Sequence, residues 1–354
     1  MTPLQSETYA AGCMAGANLA GLDKIDWASV KHAFGPATDV PGLIRALTSP
    51  DEDVRRGAWS ALYGNLYHQG IVYPATTVAA PFFLRLLESD EVPDKAGILR
   101  YLAVISEDAD VARTLLPNVP LLETMAVGTG DTAGAACLAL AMLERADKNL
   151  AMTVERLYDA QEDPVVRGHM LWALGGDLNL GDAQLERLME GIEDPSPVVR
   201  FAAVVGACRR NAADEECEKV LIDSIVEPEP IDAWLESSPW ETAAAVDLSL
   251  GLLSTFSRDR IANHYGKLVQ ALETHRADAW IARAIVFFLL EKLFPERVPS
   301  SAADLGTLEL RVLEVMIDDP TPWSTNVQKQ TAAHLAAHGL PATQGELDAW
   351  LKAR

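Results

Sequence analysis

Along most of the chain, apolar residues recur three or four positions apart, and short breaks rich in Gly, Pro and Asp separate one such stretch from the next. This pattern predicts helix pairs near 40–48/52–67, 75–89/93–106, 110–126/131–146, 149–161/164–175, 182–193/197–211, 215–226/240–256, 258–273/278–293 and 303–317/324–338. Two further helices are expected ahead of them, over 6–20 and 25–34, and one after them, over 343–353. No hairpin signal and no sustained period-two alternation stands out, so the expected class is all-α.

Three stretches repeat one design: "DEDVRRGAWSAL" (51–62), "EDPVVRGHMLWAL" (162–174) and "DPSPVVRFAAVVGA" (194–207). Each opens on acidic residues, passes through Val-Arg and continues apolar at helical spacing. An Asp or Ser at the start accepts the orphan amides of a first helical turn. A Pro there loses no hydrogen bond. The apolar stripe that follows needs a neighbour to cover it, so such units must stack. Arg55, Arg167 and Arg200 occupy equivalent places, the last two 33 residues apart.

On these Asp-x-x-Val-Arg helix starts and their spacing, the chain resembles the HEAT-repeat family over most of residues 40 to 340. The stretch "GNLYHQGIVYPATTVAAPFFLRLL" (64–87) is similar to a segment of uncharacterised bacterial HEAT-like proteins. The resemblance implies a right-handed α-solenoid of about eight stacked helix pairs. Residues 1–39 and 341–354 would cap an array over 40–340, and the second helix of each pair would line a concave binding face. It also implies that the three arginines are structural and pair with acidic residues of adjacent repeats. It implies no reaction, because this fold hosts scaffolds, nuclease-neutralising proteins, DNA glycosylases and pigment lyases alike.

Charge narrows the functions. The 354 residues carry a net charge of −22, with 29 basic against 51 acidic side chains. Nucleic-acid binding needs clustered Lys and Arg to displace counterions from phosphate, so direct DNA or RNA binding is not expected, nor is docking on an anionic membrane. A basic protein is the favoured partner; a merely solvating surface is the alternative. The four cysteines, Cys13, Cys137, Cys208 and Cys217, form no CxxC pair. No Lys or Arg precedes Lys24, and the longest apolar run is "AIVFFLL" (284–290), so a soluble cytoplasmic chain is expected.

Two stretches concentrate side chains that recognise ligands. "YGNLYHQGIVYPAT" (63–76) holds three of the seven tyrosines. On one helix, Trp59, Tyr63 and Tyr67 would form an aromatic ridge, with Asn65, His68 and Gln69 on the last turn, Gly70 as its cap and Tyr73 beyond. Together they read either as a recognition patch or as packing between repeats, with the polar groups satisfying a helix end. The second stretch is "DSIVEPEPIDAWLESSPWETA" (223–243), where the period breaks and a long loop over about 227–240 is expected. From Asp214 to Glu236 nine acidic residues face one lysine. Glu227, Glu229, Asp232 and Glu236 would make an acidic lip, with Trp234 and Trp240 either as binding anchors or as pins holding the loop to the body.

Other motifs carry less. "IDDPTPWSTN" (317–326) reads as a capped helix start. "HLAAH" sets His334 and His338 one turn apart but lacks the glutamate of a zinc motif and an evident third ligand. "GTGDTAG" (128–134) lacks a P-loop lysine and reads as a helix–helix loop. No cofactor fingerprint occurs, and no metal or catalytic residue is assigned. The leading expectation is a protein-binding scaffold using its concave face and acidic loops. An immunity-type inhibitor of a basic toxin such as a nuclease competes with it, as does an enzyme or small-molecule binder with a pocket near Tyr67, His68 and Tyr73.

Overall fold

The structure is a computed structural model that describes residues 19–127, 130–176, 181–238, 243–294, 301–319, 321–324 and 327–353. It is all-α apart from two very short antiparallel ladders, and it divides into two compact units, Met1–Gln184 and Leu185–Arg354.

The first unit contains α1 (Val40–Ala46), α2 (Glu52–Leu66), α3 (Pro74–Leu87), α4 (Lys95–Ile105), α5 (Ala109–Leu115), α6 (Val119–Ala126), α7 (Asp131–Glu144), α8 (Ala151–Ala160) and α9 (Pro164–Gly175). Its ladders are β1 (Lys31–His32) with β2 (Gly35–Pro36), and β3 (Tyr67–His68) with β4 (Ile71–Val72). Aspartates start these helices as the sequence leads one to expect: Asp51, Asp94, Asp108 and Asp163 accept first-turn amides of α2, α4, α5 and α9. Helix α7 is the centre of this unit. Residues Ala133 to Glu144 are all buried, and α4, α6, α8 and α9 pack around them. Its alanines and Gly134 permit close approach; a Cβ on Gly134 would lie 2.6 Å from Val166 Cγ2.

The chain enters the second unit within α10 (Asp182–Gly191) and continues through α11 (Pro197–Cys208), α12 (Glu215–Val226), α13 (Glu229–Glu236), α14 (Ala245–Ser254), α15 (Arg258–Ile261), α16 (Tyr265–Thr274), α17 (Ala279–Leu293), α18 (Thr307–Asp318), α19 (Gln328–Ala337) and α20 (Gln344–Lys352). Contacts here run in two rows. One joins α12, α16, α18 and α20; the other joins α11, α13, α14, α17 and α19.

Several expectations are corrected. The helix expected over 25–34 is a turn followed by the β1–β2 hairpin, in which Gly35 has φ +129° and Ala37 N–H donates to the carbonyls of Trp27 and Val30. The other early helix, 6–20, falls almost entirely outside the described residues. Hairpins do occur: α2 stops at Leu66, and Gln69 and Gly70 (φ +52° and +78°) form the two-residue turn between β3 and β4. Gly70 is therefore a hairpin residue rather than a helix cap. The loop expected over 227–240 contains α13, whose stripe of Ile231, Trp234 and Leu235 is buried. The long helices expected over 110–126 and 258–273 are each interrupted by one 3₁₀ turn, the first at Leu116–Asn118, where Pro117 and Pro120 withhold amide donors.

Two of the three repeat arginines, Arg55 and Arg200, bond backbone carbonyls rather than the acidic side chains expected of an adjacent repeat. Arg55 Nη1 donates to the carbonyls of Ser49 and Pro50 at 2.8 and 2.9 Å, and Arg200 Nη1 donates to those of Asp194 and Pro195 at 2.8 and 2.9 Å. Arg167 lies over the Tyr158 ring at 5.0 Å and donates to its hydroxyl. Each arginine ties its helix to the turn or helix immediately before it.

Candidate functional sites

The tyrosine-rich corner is built around a buried residue outside the quoted stretch. Tyr101 of α4 is fully buried, and the rings of Tyr63, Phe83 and Trp59 surround it at centroid distances of 4.9, 5.2 and 5.4 Å. Two members of the expected ridge thus pack inward on α4. Asp94 fixes this junction: one carboxylate oxygen accepts from Gly97 N–H, capping α4, and the other accepts from Trp59 Nε1 at 3.0 Å. Gly97 permits the approach, since a Cβ there would lie 2.2 Å from Asp94 Oδ2. Burial pushes the Tyr63 phenol up to about 12, with Arg100 opposing and Asp94 adding to the shift. Burial likewise raises Tyr101 well above the usual phenol range.

The polar members of this corner serve the hairpins. Asn65 is buried; its amide donates to Asp39 Oδ2 at 2.6 Å and its carbonyl accepts from Ala33 N–H. The other Asp39 oxygen is 3.0 Å from His32 Nε2, while His32 Nδ1 accepts from Phe34 N–H at 3.0 Å. That acceptor role places the ring proton on Nε2, pointing at Asp39. Asp39 thereby joins the β1–β2 turn to the end of α2. Tyr67 hydroxyl reaches Glu107 at 3.4 Å, and Tyr73 N–H donates to Thr76 Oγ1, whose own hydroxyl donates to Leu66 carbonyl. His68 meets Phe34 edge-on at 5.3 Å. Phe34, in the β1–β2 turn, and Ile71, the first residue of β4, are 69% and 56% exposed. His32, Phe34, Asp39 and Tyr101 were not read as partners from sequence. The nearest signal is the His-Ala-Phe-Gly-Pro run at 32–36, a turn composition that overlaps the end of the helix expected over 25–34.

The acidic stretch has a different character. Four of its nine carboxylates have structural roles. Asp214 caps α12 by accepting from Cys217 N–H, which holds its carboxyl below the usual range. Glu216 pairs with Lys219 on the α12 surface. Glu218 is buried against the guanidinium of Arg260, which also donates to the carbonyls of Ala213 and Asp214. Asp232 accepts from Ala245 N–H at 2.7 Å and so starts α14. Trp234, offered above as a binding anchor or a pin, is 2% exposed and packs edge-on against Phe201 of α11 at 6.4 Å. Trp240 lies outside the described residues. Glu215, Glu227, Glu229 and Glu236 are exposed and carry no ion pair among the described residues. Asp223 is exposed and 3.2 Å from Lys267 Nζ.

Beside these carboxylates is a cavity of about 360 Å³. Pro197, Val220, Pro230 and Ile231 form its apolar walls, and Arg200, Asp223 and Glu227 line it with charge. A second cavity, of about 440 Å³, lies between α18 and α20. Most of its charged groups are paired: Arg311 with Glu273 and Glu314, and Lys352 with Asp348, while Asp318 is exposed at its edge.

The three cysteines among the described residues, Cys137, Cys208 and Cys217, sit in unreactive surroundings. Burial raises Cys137, and pushes Cys208 up to about 11 and Cys217 up to about 12. His334 stacks on Phe287 at 4.3 Å, and burial lowers His338, with Arg258 and His334 adding to the shift. Among the described residues no helix is long and apolar enough to cross a membrane. No protein-family model matches the chain, and no curated protein matches it significantly.

Proposed function

We propose that the chain is a HEAT-like α-solenoid protein that binds a basic protein partner through the carboxylates around α12 and α13. The solenoid reading is supported by the row-wise contacts of the second unit, where alternate helices pack on one another, and by the Arg55 and Arg200 ties that recur with matching geometry. The face formed by the second helices of the pairs, with the acidic segment at α13, would receive the partner.

One observation carries the binding reading. After caps and ion pairs are taken away, Glu215, Glu227, Glu229 and Glu236 are left exposed, and Glu227, just ahead of α13, lines a cavity. Opposite charge across such a surface speeds capture and makes it sensitive to salt. The test is affinity capture at low and high salt with the wild-type chain and with Glu227→Gln/Glu229→Gln/Glu236→Gln. The expected result is one stoichiometric basic protein, held at low salt and lost on neutralisation. A partner retained equally by the neutralised variant would sink this reading. If the captured protein is a nuclease whose activity falls at one equivalent, the scaffold is an inhibitor.

A further inference from the structure

The cavity between the start of α11, the end of α12 and the start of α13 has features that a solvated acidic surface does not require. Its floor is apolar and buried: Val220 and Ile231 are 6% and 1% exposed. Two prolines, Pro197 and Pro230, form exposed walls and cannot donate a backbone hydrogen bond. Two carboxylates lie at the same opening, Asp223 near the end of α12 and Glu227 at its C-cap. The last carbonyls of a helix carry partial negative charge, so this end of α12 adds to the attraction for a cation.

The one positive group in the lining, Arg200, is committed elsewhere through Nη1, which is held by the Asp194 and Pro195 carbonyls. Lys267 takes only part of Asp223, since the pair is solvent-exposed on both sides and weakly held. Counted with Arg200, Asp223 and Glu227, the lining carries one net negative charge above an apolar floor. A side chain that matches it needs a long aliphatic stem and a cationic head, the two parts that lysine and arginine combine.

We propose that this cavity receives a lysine or arginine side chain from an extended segment of the basic partner, its stem against Val220, Pro230 and Ile231 and its head between Asp223 and Glu227. This rests on the basic-partner reading and adds a defined position to it. Neutralising Glu229 and Glu236 together would then be less damaging than changing Glu227 alone.

Glu227 and Glu229 make the discriminating pair. Both are exposed glutamates two residues apart, and each reversal to lysine changes the net charge equally, but only Glu227 lines the cavity. The probe is a fluorescent, end-capped peptide of alternating alanine and arginine, read by anisotropy against the full chain, with the citrulline version as the uncharged control. The expected result is wild-type binding that the citrulline peptide lacks, a loss of about tenfold or more in Glu227→Lys and of less than about twofold in Glu229→Lys. Asp223→Asn, which keeps the side-chain shape, is expected to lose affinity in the same direction as Glu227→Lys. Equal losses in the two lysine variants would overturn the cavity while leaving the basic-partner reading standing. No binding of the arginine peptide to the wild-type chain at low salt would overturn both.

Discussion

The tyrosine corner of the first unit and the acidic segment of the second both concentrate polar side chains, yet they treat them in opposite ways. In the corner, buried polar groups are met by specific protein partners: Asn65 and His32 both donate to Asp39, Trp59 donates to Asp94, and Thr76 links Tyr73 to Leu66. In the acidic segment, caps and a buried pair absorb Asp214, Glu218 and Asp232, while Glu215, Glu216, Asp223, Glu227, Glu229 and Glu236 face water, two of them in surface ion pairs with Lys219 and Lys267. A dense polar stretch thus serves architecture when its hydrogen-bonding capacity is filled internally. It is available for binding when capacity remains, because unmet charge at a surface is what a partner can use.

This contrast makes the largest demand on Tyr101. If the corner is packed core, Tyr101→Ala should cost about 3–5 kcal/mol in urea unfolding, the range for emptying a buried aromatic site. A cost below about 1 kcal/mol would show that Trp59 and Tyr63 are not held by it. Asn65→Ala should cost less, about 1–3 kcal/mol, because it leaves a carboxylate oxygen of Asp39 without its donor.

The third expectation concerns pH. Tyr63 has its folded phenol raised from 10.0 to about 12, so burial favours the neutral ring. Its contribution is complete below pH 10 and is lost as pH rises from 10 through 12, where the unfolded chain releases the proton first. The wild-type melting temperature should decline across that window, and Tyr63→Phe should decline less steeply. Identical slopes would remove Tyr63 from the buried cluster. The smallest effect belongs to the acidic segment. Glu227→Gln/Glu229→Gln/Glu236→Gln should leave unfolding free energy within about 0.5 kcal/mol of wild type, as exposed residues without partners do. A larger loss would mean that these glutamates stabilise the fold, and the contrast with the corner would fail.

How much of this could be read from the chain follows the range of each interaction. Many of the helices, their aspartate caps and the arginine positions are legible, because a helix start is written within a few residues: Asp51 and Asp53, or Asp163 and Val165, are two apart. The placement of Trp59 and Tyr63 on one face was legible for the same reason. Their common partner, Tyr101, lies 38 to 42 residues along the chain and no local pattern points to it. The β1–β2 hairpin was misread because its stability comes from Asp39 and Asn65, neither of which belongs to it. Helix α13 was hidden by prolines at 228 and 230, which mark a loop as readily as a first helical turn.

By itself, then, the sequence determined the all-α class, the helix register and the net negative charge, since local hydrogen bonding, apolar periodicity and residue counts need no knowledge of distant neighbours. The tertiary structure alone decided which polar residues are occupied. It buried Trp234 against Phe201, turned Asn65 and His32 onto one carboxylate, and left Glu227 at the mouth of a cavity. The physical reason is that a side chain's spare capacity depends on what the fold brings within hydrogen-bonding distance, and packing sets that across separations the local sequence does not record.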